Sequence, residues 1–145
     1  MRLEKALKAK ALLDECGVYD SGIAGAIGEI YAEEELGMKK APRGEKGFDG
    51  WINERKVSVK TKERRKPRTD SQEYAAISEK NFGLADDLLV VLLSGSEKPI
   101  SLGPVPIATI KYTKTKKEPF QRRYTLRSIK EALRVSDDDH GPAGN

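Results

Sequence analysis

The chain has 145 residues, with 27 Lys+Arg against 23 Asp+Glu, 37% hydrophobic and 34% charged residues, and a mean hydropathy of −0.62. That length suits a single domain around one core, and a charged share above the usual quarter calls for a large solvated or polar-liganded surface. No apolar run is long enough to span a membrane, and the charged opening MRLEKALKAK never develops the apolar stretch of a secretory signal, so a cytoplasmic protein is expected. The lone cysteine, Cys16, excludes an internal disulfide and a Cys-rich zinc site. The sole histidine, His140, sits in the polar tail SDDDHGPAGN, so neither a multi-His metal centre nor a Ser-His-Asp triad can be built within the fold. Any catalysis must rest on carboxylates and lysine, with a hard cation that takes oxygen ligands.

In chain order, Leu3, Ala6, Leu7, Leu13 and Cys16 recur at close to helical spacing, and Gly17 supplies the C-cap of a first helix. Asp20 and Ser21 offer an N-cap for a second, which runs through Ile23, Ile27, Ile30 and Leu36 to Gly37. Residues 39–46 form a loop rich in Pro, Gly and charge. Residues 48–52 and 56–61 alternate as strands about a turn at Asn53-Glu54, residues 63–71 read as a connection, and 72–82 fit a short strand or a short helix equally. The aliphatic run 88–93 is the clearest buried strand, and 99–110, with Pro104 and Pro106, is an edge strand beside it. A closing amphipathic helix covers 125–135, and residues 136–145 are expected to be a disordered tail after a single domain, 1–135. Helices first, strands next and a helix last predict an α/β domain with a mixed central sheet flanked by helices.

A two-residue turn at Asn53-Glu54 would set Ile52 opposite Arg55, Gly50 opposite Val57 and Asp49 opposite Ser58. Ser58, Lys60 and Lys62 would then share one face, with Asp49 diagonal to Lys60. On the second helix Glu29 has Gly25, Ala26, Ala32 and Leu36 as its helical neighbours, a side suited to close packing, whereas Glu33, Glu34 and Glu35 read as a solvated run. A carboxylate packed there demands a compensating cation.

Gly28-Glu29 on an early helix, Phe48-Asp49-Gly50 on a strand, Val57-Ser58-Val59-Lys60 on the next, and a Leu-Leu-Val-Val strand after them together resemble the PD-(D/E)XK, or restriction-endonuclease-like, superfamily. The resemblance covers roughly residues 21–95 and implies an αβββαβ core. It further implies a Mg²⁺ (or Mn²⁺) dependent nuclease that hydrolyses phosphodiester bonds of DNA, with Glu29 and Asp49 as metal-binding acids and Lys60 as the catalytic lysine. By analogy alone it implies a homodimer. Ser58 stands where the family pattern has Asp, Glu or Gln; a carboxylate from Glu63 or Glu73, or a water held with the Val59 carbonyl, would have to replace that ligand. The alternative is a catalytically inactive nuclease-fold protein that binds nucleic acid, or an acidic protein partner, without cleavage.

Charge distribution favours a nucleic-acid partner, DNA ahead of RNA, because Arg55, Lys56, Lys60, Lys62, Arg64, Arg65, Lys66 and Arg68 cluster beside the candidate site. A second basic stretch, Lys111 to Arg127, is interleaved with Tyr112, Phe120 and Tyr124 and is expected to contact backbone or to stack on unpaired bases.

Overall fold

The structure, a computed structural model, describes residues 2–64 and 69–139, with side chains to 136. Helix α1 (Arg2–Glu15) packs on α2 (Ser21–Leu36). The start of α1 is fastened to the end of α2 by the Leu3 N–H, which donates to Glu34 Oε1 at 3.0 Å and so sets a carboxylate at a helix N-terminus. The Asp20 carboxylate accepts from Gly22 N (2.8 Å) and Ile23 N (3.2 Å), and Gly37 takes the left-handed conformation (φ 69°) that ends α2, both as the cap residues predict.

Strands β1 (Lys39–Lys40), β2 (Gly50–Ile52), β3 (Arg55–Glu63), β5 (Asp87–Leu93) and β6 (Ile100–Pro106) form a mixed sheet in the order β1-β2-β3-β5-β6, in which β3 and β5 are parallel and the other neighbours antiparallel. A smaller antiparallel sheet, β4-β8-β7, comprises β4 (Tyr74–Ser78), β7 (Thr113–Lys114) and β8 (Gln121–Thr125). Helix α3 (Leu126–Asp139) closes the chain. Every residue of β5 is buried because both its faces are covered: Leu89, Val91 and Leu93 lie in the core under α1 and α2, while Leu88, Val90 and Leu92 pack with Ala75, Ile77, Tyr124, Leu126 and Ile129 of the second sheet and α3. This explains the unbroken aliphatic run, since neither face has a solvent side to supply polar residues.

The fold is mixed α/β as expected, with six differences. The loop expected over 39–46 opens with β1, because Lys39 and Lys40 pair with Trp51 and Gly50, and the strand expected over 99–110 ends at Pro106, where the ladder to β5 stops and a 3-10 turn (Ile107–Thr109) follows. The described part of the connection from β3 to β5 carries β4 and a 3-10 turn (Glu79–Asn81) where the αβββαβ order expects a helix, so the ambiguous segment 72–82 is a strand built on alternating burial of Ala75 and Ile77. Residue 63 belongs to β3 rather than to the connection, because its backbone pairs with Leu93 of β5; its carboxylate meets the buried Lys10 of α1 at 2.6 Å. The second basic stretch contains β7 and β8, whose strands the charge pattern hid. Finally, α3 runs through Asp139, past the expected end of the ordered domain at 135; residues 140–145, with His140, lie outside the described residues.

Two local devices place the site. At Gly28, α2 lies so close to β3 that a Cβ would collide with the Thr61 Oγ1. In the hairpin, Asn53 (φ 51°) and Glu54 (φ 65°) both adopt positive φ, the two-residue turn that matches strand twist, and the register Ile52–Arg55 and Gly50–Val57 follows. We expect Gly28→Ala to cost about 1–3 kcal/mol by overpacking. Most of that loss should be recovered in Gly28→Ala/Thr61→Ala, as measured by urea unfolding. Glu54→Gly removes a left-handed non-glycine residue and should raise stability by about 0.5–1 kcal/mol in the same measurement, the steric relief exceeding the entropy cost of glycine.

Candidate active site

Strand β3 pairs with β5 from Val57 to Glu63, but with β2 only from Arg55 to Val57. Beyond Val57 the chain that precedes β2 turns away, and among the described residues no strand covers that edge of β3. Asp49 sits at this fork. Its N–H donates to the Val57 carbonyl (2.8 Å), its carbonyl accepts from Ala41 N (2.9 Å), and its Oδ2 accepts from Val59 N at 2.7 Å. The carboxylate thus replaces the missing neighbour strand at Val59 and lies in the plane of the sheet, which modifies the expected diagonal placement across one face from Lys60. Gly50 permits this packing, since a Cβ there would run into the Lys39 carbonyl and the Met38 side chain.

Glu29 reaches the same fork from the other element. One residue after the close Gly28–Thr61 contact, its carboxyl lies beside Asp49, and burial first, then the Asp49 charge and hydrogen bonding, push its pKa up from the ordinary 4.5; the Lys40 ammonium opposes the shift. Two carboxylates from residues twenty apart in sequence therefore share one partly desolvated position, where a proton or a hard cation relieves their repulsion.

Ser58 is buried (7% exposed) on the face of β3 opposite α2, and Lys60 and Lys62 follow on that face. Lys60 comes directly after Val59, whose N–H binds Asp49, but among the described residues no hydrogen bond or ion pair joins Lys60 to either carboxylate. Lys62, half-buried, has its pKa lowered by burial and then by the Lys60 charge, with Glu73 opposing. The acids considered as substitutes for the missing second carboxylate are engaged elsewhere: Glu63 with Lys10 at 2.6 Å, and buried Glu73 with Arg64 Nε at 3.3 Å. Among the described residues no group of three or more His, Cys, Asp or Glu side chains could hold a metal. The Glu29–Asp49 pair supplies hard oxygen donors of the right kind for Mg²⁺ or Mn²⁺, one carboxylate fewer than the family pattern.

The basic cluster divides. The Arg55 fork is bidentate on buried Asp87 (Nε 2.9 and 3.1 Å, Nη2 2.8 Å), and Arg64 pairs with Asp70 (3.2 Å) and Glu73, so both charges are answered inside the protein. Exposed Lys56 lies over the Phe48 ring at 5.2 Å, and Lys62 over Tyr74 at 5.5 Å. Arg65, Lys66 and Arg68 lie outside the described residues. Sequence reasoning missed Lys40, Thr61 and Tyr74. Only the alternation 74–78 signalled the last of these.

No protein-family profile matches the chain, and no curated protein sequence is similar to it. Among the described residues no helix is long and apolar enough to cross a membrane.

The raised Glu29 pKa has a definite sign for stability. The folded state binds the extra proton, so this contribution is complete below the ordinary value of 4.5 and is lost as pH rises through the higher folded value. Glu29→Gln should flatten the pH dependence of Tm in that range. Added Mg²⁺ or Mn²⁺ should raise the neutral-pH Tm of the unsubstituted protein, by about 1.4 kcal/mol of stability at ten times Kd, and leave Glu29→Gln/Asp49→Asn unmoved.

Proposed function

We propose that the fork between β2 and β3 is the active site of a Mg²⁺- or Mn²⁺-dependent nuclease of the PD-(D/E)XK kind, acting on phosphodiester bonds of DNA. The observation that carries this reading is the approach of Glu29 to Asp49 at the uncovered edge of β3, with Lys60 on the next residue but one after Ser58. A bound divalent ion would supply charge to the scissile phosphate and a water of lowered pKa. Asp49, fixed by the Val59 N–H, and Glu29 would hold the ion. The Val59 carbonyl, on the same strand edge as its N–H, and the Ser58 hydroxyl are neutral oxygens that would complete its ligands in place of the missing acid. Lys60 stabilises charge that develops on the phosphoryl oxygens. Because Glu29 must ionise to serve, activity should rise with pH through its raised pKa. The lone exposed thiol of Cys16 suits a reducing, cytoplasmic compartment.

A second reading is favoured by buried Ser58 and by the prior engagement of Glu63 and Glu73: a nuclease-fold protein that binds nucleic acid without cutting it. The two separate in a cleavage assay on single-stranded, duplex and branched DNA with Mg²⁺ and Mn²⁺. Asp49→Ala and Lys60→Ala should each lower the rate by about 10²–10³-fold, the scale of removing one electrostatic stabiliser. Ser58→Glu should increase it by restoring a carboxylate ligand. Binding with no cutting under either metal, in the unsubstituted protein and in Ser58→Glu alike, would discard the enzyme in favour of the second reading.

A further inference from the structure

The second sheet lies outside the fork, yet a line of cations leads to it. Lys62, on the face of β3 that carries Lys60, and Arg123 of β8 share the Tyr74 ring of β4, with the ammonium at 5.5 Å and the guanidinium at 4.6 Å from its centroid. Arg122 stands over both Phe82 (4.2 Å) and Tyr112 (4.7 Å), and Lys114 over Phe120 (4.8 Å). Between residues 111 and 123 six cationic residues meet one acid, Glu118, and among the described residues none of the six makes an ion pair. Arg123 Nε is buried without a hydrogen-bond partner, so the guanidinium is oriented by stacking rather than by a carboxylate. Arg55 and Arg64, by contrast, are neutralised internally.

A cation seated on a ring occupies that face in place of a base. A guanidinium seated on a ring keeps its charge, and its N–H groups not buried against the protein remain donors for a bidentate acceptor such as phosphate. We propose that β4-β8-β7 docks the phosphate backbone of nucleic acid around its β7 edge, with Lys62 and Arg123 over Tyr74 on one face, the register partners Lys114 and Arg122 on the other, and the Lys111–Lys117 segment carrying the edge itself, the aromatic residues being platforms for cations that do not stack bases. This rests on the nucleic-acid reading of the protein, but not on cleavage; of the two expectations for this stretch, backbone contact or stacking on unpaired bases, it keeps the first, and Tyr124 is in fact buried (1% exposed).

The test is fluorescence-anisotropy binding of the full chain, in EDTA, to a duplex, a single strand and an abasic strand of equal length. Arg123→Gln/Lys114→Gln should weaken binding at 50 mM salt by about tenfold for all three, and should reduce the slope of log K against log salt by about one to two. Arg123→Lys should retain most of the slope, which a purely structural role would not predict. Abasic and base-bearing strands should agree within about threefold, since no stacking is involved. Unchanged affinity and slope in the glutamine variant, or much tighter binding of the base-bearing strand, would overturn the proposal. If the glutamine variant fails to fold, Lys116→Gln/Lys117→Gln at exposed rim positions carries the same slope test. Loss of cleavage in Asp49→Ala with docking intact bears only on the fork, and unchanged docking in the variants bears only on this surface. Retention of poly-glutamate with no nucleic-acid binding would assign the surface to an acidic protein and overturn the proposal.

Discussion

The contact of α2 with β3 at Gly28 and Thr61 governs the geometry of the candidate site. A helix side chain would normally hold α2 away from the sheet by the width of a methyl group or more, and the acid that follows would then face solvent. With hydrogen at that position, the helix backbone descends onto the strand and Glu29 is delivered to the edge that β2 abandons after Val57. Asp49 arrives there from the loop side, anchored by the Val59 N–H. The two acids meet because one strand ends early and one helix packs closely, and each condition would be inert without the other.

Bringing like charges together in a partly desolvated place costs stability, and the Glu29–Asp49 pair carries that cost. Other buried acids among the described residues are matched in place: Glu63 by Lys10, Asp87 by the Arg55 fork, Glu73 by Arg64. The contrast is physical. A carboxylate paired with an ammonium or guanidinium needs nothing further, whereas a carboxylate beside a carboxylate favours a proton or a cation. The raised pKa of Glu29 expresses that preference, and any ligand of the fork must satisfy it.

The cations divide by their partners. Arg55 and Arg64, on β3 and just after it, are consumed in ion pairs, while Lys56 and Lys62 of β3 and the arginines of β8 rest on rings. A guanidinium on an aromatic face remains a full charge without a carboxylate to answer it, so the second sheet holds cationic charge that the composition promised but did not locate.

Several elements were legible because local chemistry decides them. Asp20 and Gly37 bound α2, Asn53-Glu54 sets the hairpin register, and the run 88–93 is a strand covered on both faces. Glu29 stood out from Glu33–Glu35 because small and apolar neighbours at helical spacing mark a packed side. The segment 72–82 and the strands β7 and β8 were not legible, because β4 is a short run of small and mixed side chains and β7 and β8 are short and basic, and they become strands only by pairing with one another and covering β5. Alone, then, the sequence determined the first two helices and the hairpin and singled out Glu29 and Asp49 as candidates, since caps, turns and periodicity act between near neighbours. Tertiary structure alone decided that Asp49 turns into the plane of the sheet, that Arg55 and Arg64 spend their charge internally, and that the aromatic rings carry cations. Those outcomes depend on distances between residues far apart in the chain, which only packing sets.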